Sequence, residues 1–211
     1  MKNKPLGLLN AVVEQNSASQ IASVSKHQQG FYLPSGFTIG TRIPKDFFET
    51  SGVGESDITI HAGSYHLALK DAGIEMCNIM TYSSILPGIA RRTGMPDQIP
   101  HGCVMESIMS ASHARKGELA TAGIIYAWLY DRMNRTKFGG LVCEHNGNYS
   151  VHRLEKLLKA SLEELYWNGF SSKYDLGRPR ILKKSFIPQK EYGTALVSLC
   201  FNTYYLPVIQ S

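Results

Sequence analysis

The sequence is short of the features that mark several common protein classes. Its four cysteines are widely spaced and form no C-x-x-C pair, which argues against a zinc ribbon and a thioredoxin-like redox motif. No uninterrupted apolar run is long enough to span a bilayer, so no membrane segment is predicted. Charged residues make up 18% of the chain and form no long block of one sign, which excludes a charged tail. Cysteines scattered through apolar stretches are typical of buried free thiols in a reducing compartment, and we expect a cytoplasmic protein.

The chain is long enough, and apolar enough, for one sizeable domain. It has 211 residues, of which 43% are hydrophobic, so a core can form without disulfide bonds. Residues 1–30 differ from the remainder in being rich in Ser, Gln, Asn and Lys, with Glu14 as their single acid. Their apolar run is too short for a secretory signal, and they lack the arginines of a transit peptide. We therefore predict a mobile extension over residues 1–30 and a single domain over residues 31–211.

The net charge of +5 is compatible with nucleic-acid binding, and two small clusters of basic residues are the candidates for such an interface. The groups are Arg91-Arg92 and the set Arg178, Arg180, Lys183 and Lys184. Solvated loops carry such groups more often than nucleic-acid interfaces do. We favour the solvated loop and predict no nucleic-acid partner.

Short apolar segments alternate with Gly- and Pro-marked turns along most of the chain, which predicts many strands and few helices. One short helix is predicted over residues 62–72. The strongest helix covers residues 151–167, where leucines recur at the helical period after Ser150 as N-cap, and Gly169 is its expected end. This mixture indicates an α+β sandwich rather than a doubly wound sheet. The predicted strands cover residues 37–43, 74–80, 103–109, 122–129, 140–143 and 195–201.

The segment most open to a chemical interpretation is Ser83-Ser84-Ile85-Leu86-Pro87. Paired serines before a proline usually mark only a strand that enters a turn. Here they stand in a particular order with other residues, since Asn78 lies six positions earlier and Glu144 follows sixty positions later. The sequence Gly52-Val53-Gly54-Glu55-Ser56-Asp57 lies upstream.

In this order and spacing the chain resembles the pyruvoyl-dependent arginine decarboxylases, particularly a bacterial branch of that family. The resemblance runs from about residue 36 to residue 144 and returns more loosely over residues 192–210. It implies a four-layer α/β/β/α sandwich that cleaves itself into a β chain ending at Ser83 and an α chain beginning at Ser84. The segments that carry it are Ala72-Gly73-Ile74, Asn78-Ile79, Ser83 to Pro87 and His101-Gly102-Cys103-Val104.

The chemistry that the resemblance implies requires a serine as the second residue of the pair. Its hydroxyl attacks the preceding carbonyl, elimination releases the upstream chain, and hydrolysis leaves a pyruvoyl cofactor derived from Ser84. That ketone forms a Schiff base with the amine of an amino-acid substrate, and the protein orients the reactants and supplies protons. By resemblance, Glu144 is the proton donor, and Asn78 assists processing and positions the intermediate. An exposed strand acid and a satisfied buried amide are the alternatives for these two residues.

The spacing of Asn78 and Ser84 adds an inference about assembly. Six extended residues separate them by roughly 20 Å, so they cannot share a site in one copy unless the chain bends sharply. A site built between subunits removes the difficulty. The family resemblance implies a homo-oligomer, a trimer or a multiple of trimers.

The chain departs from the family at the residue expected to bind the substrate guanidinium. Alignment through Ala72-Gly73-Ile74 places Tyr65 where the family has an acid, and a tyrosine cannot form a bidentate ion pair. Glu55 and Asp57 are candidates to supply the missing charge. Arginine remains the leading substrate, an aromatic or apolar amino acid is an alternative, and a binding paralogue that never cleaves is a third hypothesis.

Two further patterns have little chemical content. Gly52-Val53-Gly54 lacks the third glycine and the Lys-Ser/Thr of a phosphate loop, so nucleotide binding is not predicted. Two interpretations of these glycines remain equal: they form a tight turn, or, as the family resemblance implies, the segment lies near the active site. His61 and His66 are five apart, whereas a zinc-binding pair on one helical face is four apart. His145 follows Glu144 directly, so in a strand it points to the opposite face. We predict no metal site.

Overall fold

The structure, a computed structural model, describes residues 40–208. The extension predicted over residues 1–30 lies outside this range, as do residues 37–39 of the strand predicted over residues 37–43. Of the described residues of that strand, only Ile43 lies in a strand. The strands of the described part are β1 (Ile43–Pro44), β2 (Asp46–Ser56), β3 (Asn78–Thr81), β4 (Ile85–Pro87), β5 (Arg91–Arg92), β6 (Val104–Arg115), β7 (Ala120–Asp131), β8 (Lys137–Gly147), β9 (Tyr174–Leu176), β10 (Arg180–Phe186), β11 (Tyr192–Phe201) and β12 (Tyr204–Tyr205). The helical elements are a π-helical segment (Ile60–Tyr65), α1 (His66–Asp71) and α2 (Val151–Gly169).

The strands form two larger sheets and one short pair. The first sheet has the order β3-β6-β11-β2-β5, and the second has the order β10-β7-β8-β4 with β9 also paired to β7. Strand β11 pairs antiparallel with β6 on one side and β2 on the other, whereas β3 runs parallel to β6. Mixed sheets with few helices confirm the predicted α+β class. The strands predicted over residues 122–129, 140–143 and 195–201 are confirmed within β7, β8 and β11, and the strand predicted over residues 103–109 is confirmed from Val104 in β6.

Both sheets contribute one face to a shared core. Alternate residues of a strand point to opposite faces, so Ile108 and Val197 of the first sheet meet Ile124 and Val142 of the second. The other face of the second sheet packs against α2, and the outer face of the first sheet packs against α1. Strand β7 is consequently buried along most of its length, which explains why its sequence is apolar without alternation.

Helix α2 shows how closely local signals specify an element. Ser150 is its N-cap, as predicted, and the Ser150 hydroxyl accepts a hydrogen bond from the Arg153 N–H at 3.3 Å. The leucine stripe packs on the second sheet through Leu154 and Leu158. The helix ends at Gly169 as predicted, two residues beyond the predicted range of residues 151–167, and Phe170 is its C-cap.

The strand predicted over residues 74–80 is wrong in its first half. Gly73 adopts φ of 72° after α1 and its N–H donates to the Lys70 carbonyl, while the Ile74 N–H donates to the Leu69 carbonyl. This pair of hydrogen bonds is a Schellman motif, which ends a helix and reverses the chain. Ile74 is therefore buried under α1, and the strand begins only at Asn78.

Gly52 and Gly54 lie in the middle of an eleven-residue strand and not in a turn, so the tight-turn reading is wrong. A Cβ at Gly52 would lie 2.1 Å from the Ala68 carbonyl oxygen, and one at Gly54 would lie 2.3 Å from the Ala68 nitrogen. Both distances are far below van der Waals contact. The glycines are needed because the backbone of α1 packs directly on β2.

Candidate active site

The two serines lie where the chain crosses from one sheet to the other. The Tyr82 N–H, just after β3, donates to the Ser107 carbonyl in the first sheet at 2.7 Å. Two residues later the Ser84 carbonyl accepts from the Val142 N–H in the second sheet at 3.1 Å. The peptide bond between Ser83 and Ser84 is thus held between two sheet attachments.

The pairing of β4 with β8 brings Ser84 to Glu144. Ile85 is opposite Leu141, so the preceding Ser84 lies opposite Val142, and Glu144 is two residues further along the same face of β8. The Ser84 hydroxyl donates to the Glu144 carboxylate, with 3.0 Å to Oε2 and 3.2 Å to Oε1. The structure therefore brings together two of the site residues predicted from the sequence.

The carbonyl group of Ser83 is also hydrogen-bonded. It accepts from the Ile85 N–H at 2.9 Å, across a three-residue turn centred on Ser84. A donor at this carbonyl withdraws electron density from its carbon and stabilises negative charge that develops on its oxygen. The nucleophile and the group that it would attack are thus contacted separately, one by Glu144 and the other by Ile85.

Glu144 lies half-buried at the edge of the core between the sheets. Burial raises the pKa of this carboxyl group, while the hydrogen bond from Ser84 acts in the opposite direction. The next residue, His145, points to the opposite face as predicted, because its Nε2 lies 2.8 Å from the Ser161 hydroxyl on α2. An acid with a raised pKa beside a serine hydroxyl is suited to exchange a proton with it.

Asn78 is not joined to this pair within one copy of the chain. It is the exposed first residue of β3, and its side-chain amide donates to the Gly102 carbonyl at 3.0 Å. Within residues 40–208, no hydrogen bond connects Asn78 with Ser84 or Glu144.

Tyr65 lies on the far side of the first sheet from Glu144. Its hydroxyl is 3.6 Å from the Met109 sulfur, and its ring stacks on His61 with 5.8 Å between centroids. Met109 points away from the core between the sheets, because its neighbour Ile108 points into it. Burial raises the pKa of the Tyr65 hydroxyl. The structure does not bring Tyr65 to the serines of the same chain.

Glu55 and Asp57 have local partners. The Glu55 carboxylate accepts from the Gln189 N–H at 2.7 Å, and the Asp57 carboxylate accepts from the Glu191 N–H at 3.3 Å. Both acids therefore hold the loop that joins β10 to β11. Neither is brought to Ser84 within one copy.

Sequence reasoning missed a second acid near the serines. Glu106 is only 2% exposed on the inner face of β6, where it accepts a hydrogen bond from the Tyr82 hydroxyl and pairs with Arg42, whose Nε lies at 3.2 Å. Arg42, Tyr82 and Ser83 also line a cavity of about 530 Å³. A charged residue inside the apolar stretch Val104–Met109 was the signal that could have revealed this site.

Metal sites, membrane-spanning helices and cysteines were the other features considered from the sequence. Residues 40–208 contain no group of three or more His, Cys, Asp or Glu side chains arranged to hold a metal ion. In the same range no helix combines the length and apolarity needed to cross a membrane. Cys143 and Cys200 are buried free thiols as expected, but Cys77 and Cys103 are only partly buried, with their sulfur atoms 3.4 Å apart.

Comparison with known proteins places these residues in one family. The family model for pyruvoyl-dependent arginine decarboxylase matches residues 46–205. The chain is 31% identical over 124 residues to the pyruvoyl-dependent arginine decarboxylase of Methanopyrus kandleri, covering 58% of this chain and 75% of that protein. It is 29% identical over 186 residues to the pyruvoyl-dependent arginine decarboxylase AaxB of Chlamydia abortus, covering 78% of this chain and 94% of that protein. The chain therefore belongs to the pyruvoyl-dependent arginine decarboxylase family.

Proposed function

We propose that this protein cuts its own backbone between Ser83 and Ser84 and then decarboxylates arginine to agmatine and carbon dioxide. The observation that carries the proposal is the double contact of the Ser84 hydroxyl with the Glu144 carboxylate, beside a Ser83 carbonyl that already accepts a hydrogen bond. Arginine is proposed because the relatives are named as arginine decarboxylases.

The first step uses the contacts of the uncut chain. Glu144 accepts the Ser84 hydroxyl proton while Oγ forms a bond to the Ser83 carbonyl carbon. The Ile85 N–H stabilises the negative charge that develops on the carbonyl oxygen. The bond from that carbon to the Ser84 nitrogen then breaks and the nitrogen takes up a proton, so an amide becomes an ester.

Elimination and hydrolysis complete the cleavage. Loss of the Ser84 Cα proton and breakage of its Cβ–Oγ bond release Ser83 with a carboxylate end. The remaining dehydroalanine takes up one water and releases ammonia, which leaves a pyruvoyl group at residue 84. No oxidant or reductant is required. The products are one chain of residues 1–83 and one of residues 84–211.

The residues around Ser84 fit a pyruvoyl group at this position. The carbonyl of residue 84 is already fixed by the Val142 N–H, and Glu144 reaches the Ser84 side chain, whose Cβ becomes the methyl group. When formed, the group supplies a ketone that bonds covalently to the substrate amine and a neighbouring carbonyl that withdraws electrons as carbon dioxide leaves. Glu144 then delivers a proton to the substrate α-carbon, which a raised pKa favours.

We further propose a four-layer α/β/β/α sandwich that assembles as a trimer, with each site built between two subunits. Helices α1 and α2 pack on the outer faces of the two sheets, which supports the layer order. Strands β3 and β4 are terminal in their sheets and flank the serines, and each carries an exposed apolar side chain, Met80 at 53% and Ile85 at 54%. A neighbour on this edge would cover those side chains. We propose that this neighbour supplies Asn78 and Tyr65 to the serines, since both residues have other partners within one copy.

Denaturing gel electrophoresis tests the cleavage. The wild type is expected to give two bands, and Ser84→Ala a single intact chain because the nucleophile is gone. Ser83→Ala is the matched control, since it removes the adjacent hydroxyl but keeps the carbonyl, and it should still be cut. An intact wild type after long incubation would identify a non-cleaving binding protein. Measurement of amine products over the standard amino acids then tests arginine.

Mixed oligomers test the composite site. Asn78→Ala and Glu144→Gln subunits each lack one predicted residue, so a mixture that exchanges subunits should regain activity if the two residues serve different neighbours. A mixture as inactive as its two components would place Asn78 and Glu144 in the same copy's site. Size-exclusion chromatography with light scattering measures the oligomer directly.

A further inference from the structure

Tyr82 is fixed to the first sheet by its side chain as well as by its backbone. Its hydroxyl donates to the Glu106 carboxylate, and its ring packs on Phe201 with 5.5 Å between centroids. The backbone N–H of the same residue donates to the Ser107 carbonyl at 2.7 Å. The residue immediately before Ser83 therefore cannot rotate or slide without breaking one of these hydrogen bonds.

The Glu106 carboxylate is well suited to serve as that anchor. Its side chain is 3% exposed, and it lies on the inner face of β6 between the two sheets. A buried carboxylate without partners is strongly unfavourable, which makes its hydrogen bonds difficult to give up. Arg42 pairs with it and compensates its charge. The Tyr82 hydroxyl and the Arg42 guanidinium together satisfy this acid.

We propose that Glu106 is a positioning residue for self-cleavage, acting through Tyr82 to hold the Ser83 carbonyl in reach of the Ser84 hydroxyl. The inference rests on the proposed cleavage between Ser83 and Ser84. Only Ser83 separates the anchored Tyr82 from Ser84, whose carbonyl is bound by the Val142 N–H on the second sheet. With both ends fixed, the peptide bond between them is held in one geometry. Precise placement of reacting groups contributes strongly to rate, and a misplacement of about 1 Å costs about 100-fold.

The structure offers a matched control for the loss of one partly buried tyrosine hydrogen bond. Tyr126 belongs to the same core cluster, and its hydroxyl donates to the half-buried Glu49 carboxylate at 2.7 Å. Strand β2, which carries Glu49, is two strands away from β6 in the first sheet. Tyr126→Phe therefore removes an equivalent hydrogen bond in the same core, but leaves every hydrogen bond of Tyr82, Ser83 and Ser84 in place.

The experiment measures the rate at which freshly purified precursor of the full chain is cut. Tyr82→Phe is expected to slow cleavage by about 10-fold or more, from the loss of one hydrogen bond to a charged group. Tyr126→Phe should be cut at the wild-type rate with a comparable loss of melting temperature. Glu106→Gln keeps an acceptor for the Tyr82 hydroxyl, so it should be cut faster than Glu106→Ala. The two Glu106 variants also provide a test if Tyr82→Phe does not fold.

Three outcomes are decisive. Wild-type cleavage rates in Tyr82→Phe would overturn the inference while leaving the proposed function intact. Equal slowing in Tyr82→Phe and Tyr126→Phe would show a general effect of stability and would also overturn it. An uncut wild type would overturn the proposed function itself, which distinguishes that failure from the other two.

Discussion

Ser84 and Glu144 are sixty positions apart in the chain, yet the Ser84 hydroxyl donates to both oxygens of the Glu144 carboxylate, at 3.0 and 3.2 Å. The contact forms because β4 pairs with β8, which places the two side chains diagonally on one face of the second sheet. Burial raises the pKa of Glu144 and the Ser84 hydroxyl opposes that shift. In the proposed reaction the same carboxyl group takes a proton from Ser84 during cleavage and later gives one to the substrate.

Replacement of Glu144 by Gln tests its role as proton donor. The amide has nearly the same shape but cannot donate an acidic proton, so the decarboxylation rate per cleaved chain should fall by about 10² to 10⁴-fold. The fraction of cleaved chain is measured by denaturing gel electrophoresis, and the decarboxylation rate is divided by that fraction. Glu49→Gln is the control, because Glu49 is also half-buried in the structure but contacts Tyr126 and Arg180 instead of the serines. Full activity in Glu144→Gln would mean that another group is the acid.

The two proposed reactions should depend on pH in opposite directions. Cleavage requires the Glu144 carboxylate, so its rate should rise as pH rises through the pKa of Glu144, which burial holds above its ordinary 4.5. Decarboxylation requires the protonated acid, so its rate should fall as pH rises through that pKa. Cleavage removes the Ser84 hydroxyl, whose hydrogen bond lowers the pKa of Glu144. The inflection in the decarboxylation rate should therefore lie at a higher pH than the inflection in the cleavage rate.

Rate profiles of precursor cleavage and of arginine decarboxylation, measured over the same buffers, provide the check. Glu144→Gln should lack both inflections wherever it retains measurable rates. A cleavage rate that falls with rising pH would show that Glu144 is not the group that receives the Ser84 proton.

Tyr65 is the residue at which substrate preference should change. If a neighbouring subunit brings Tyr65 to the substrate side chain, Tyr65→Asp offers the guanidinium an ion pair, worth about 1.5 to 3 kcal/mol. The preference for arginine over apolar amino acids, as a ratio of kcat/KM values, should then rise by roughly 10 to 100-fold. Tyr65→Asn is the control, because asparagine has the size of aspartate but no charge, and it should show little of this gain. Competition between amino acids measures the ratio, and an unchanged ranking would place Tyr65 outside the substrate pocket.

Gly54 should be required for stability and not for chemistry. A Cβ there would meet the Ala68 nitrogen at 2.3 Å and the Ser64 carbonyl oxygen at the same distance. Overpacking of this kind costs about 1–3 kcal/mol, and in a domain of this size each kcal/mol lowers the melting temperature by about 2–4 °C. Gly54→Ala should therefore melt several degrees below wild type. Gly94→Ala, whose Cβ would meet nothing within 4 Å, should melt at or above the wild-type temperature. Equal melting temperatures would contradict the close packing of α1 on β2.

The sequence by itself determined the elements whose signals are local. The leucine period and the Ser150 cap specify α2, because both act within a few residues. Apolar β-branched stretches specify the long strands in the same way. The order of Asn78, Ser83-Ser84 and Glu144 pointed to the family, because the identity and spacing of residues are visible in the sequence without the tertiary structure. The early start given to the strand at residue 74 failed because the Schellman motif at Gly73 competes with strand propensity.

Only the tertiary structure decided which of these residues meet. Strand pairing joins Ser84 to Glu144 and leaves Tyr65 on the opposite side of a sheet, and register between distant strands is not encoded in local spacing. The sequence left a tight turn and a place near the active site as equal alternatives for the glycines of β2, because their need for space comes from a helix that packs on them. Glu106 went unnoticed because a single acid in an apolar strand acquires its meaning only from partners elsewhere in the chain, here Tyr82 and Arg42. Burial and long-range contacts, which set the pKa of Glu144 and the position of Ser83, are properties of the folded molecule.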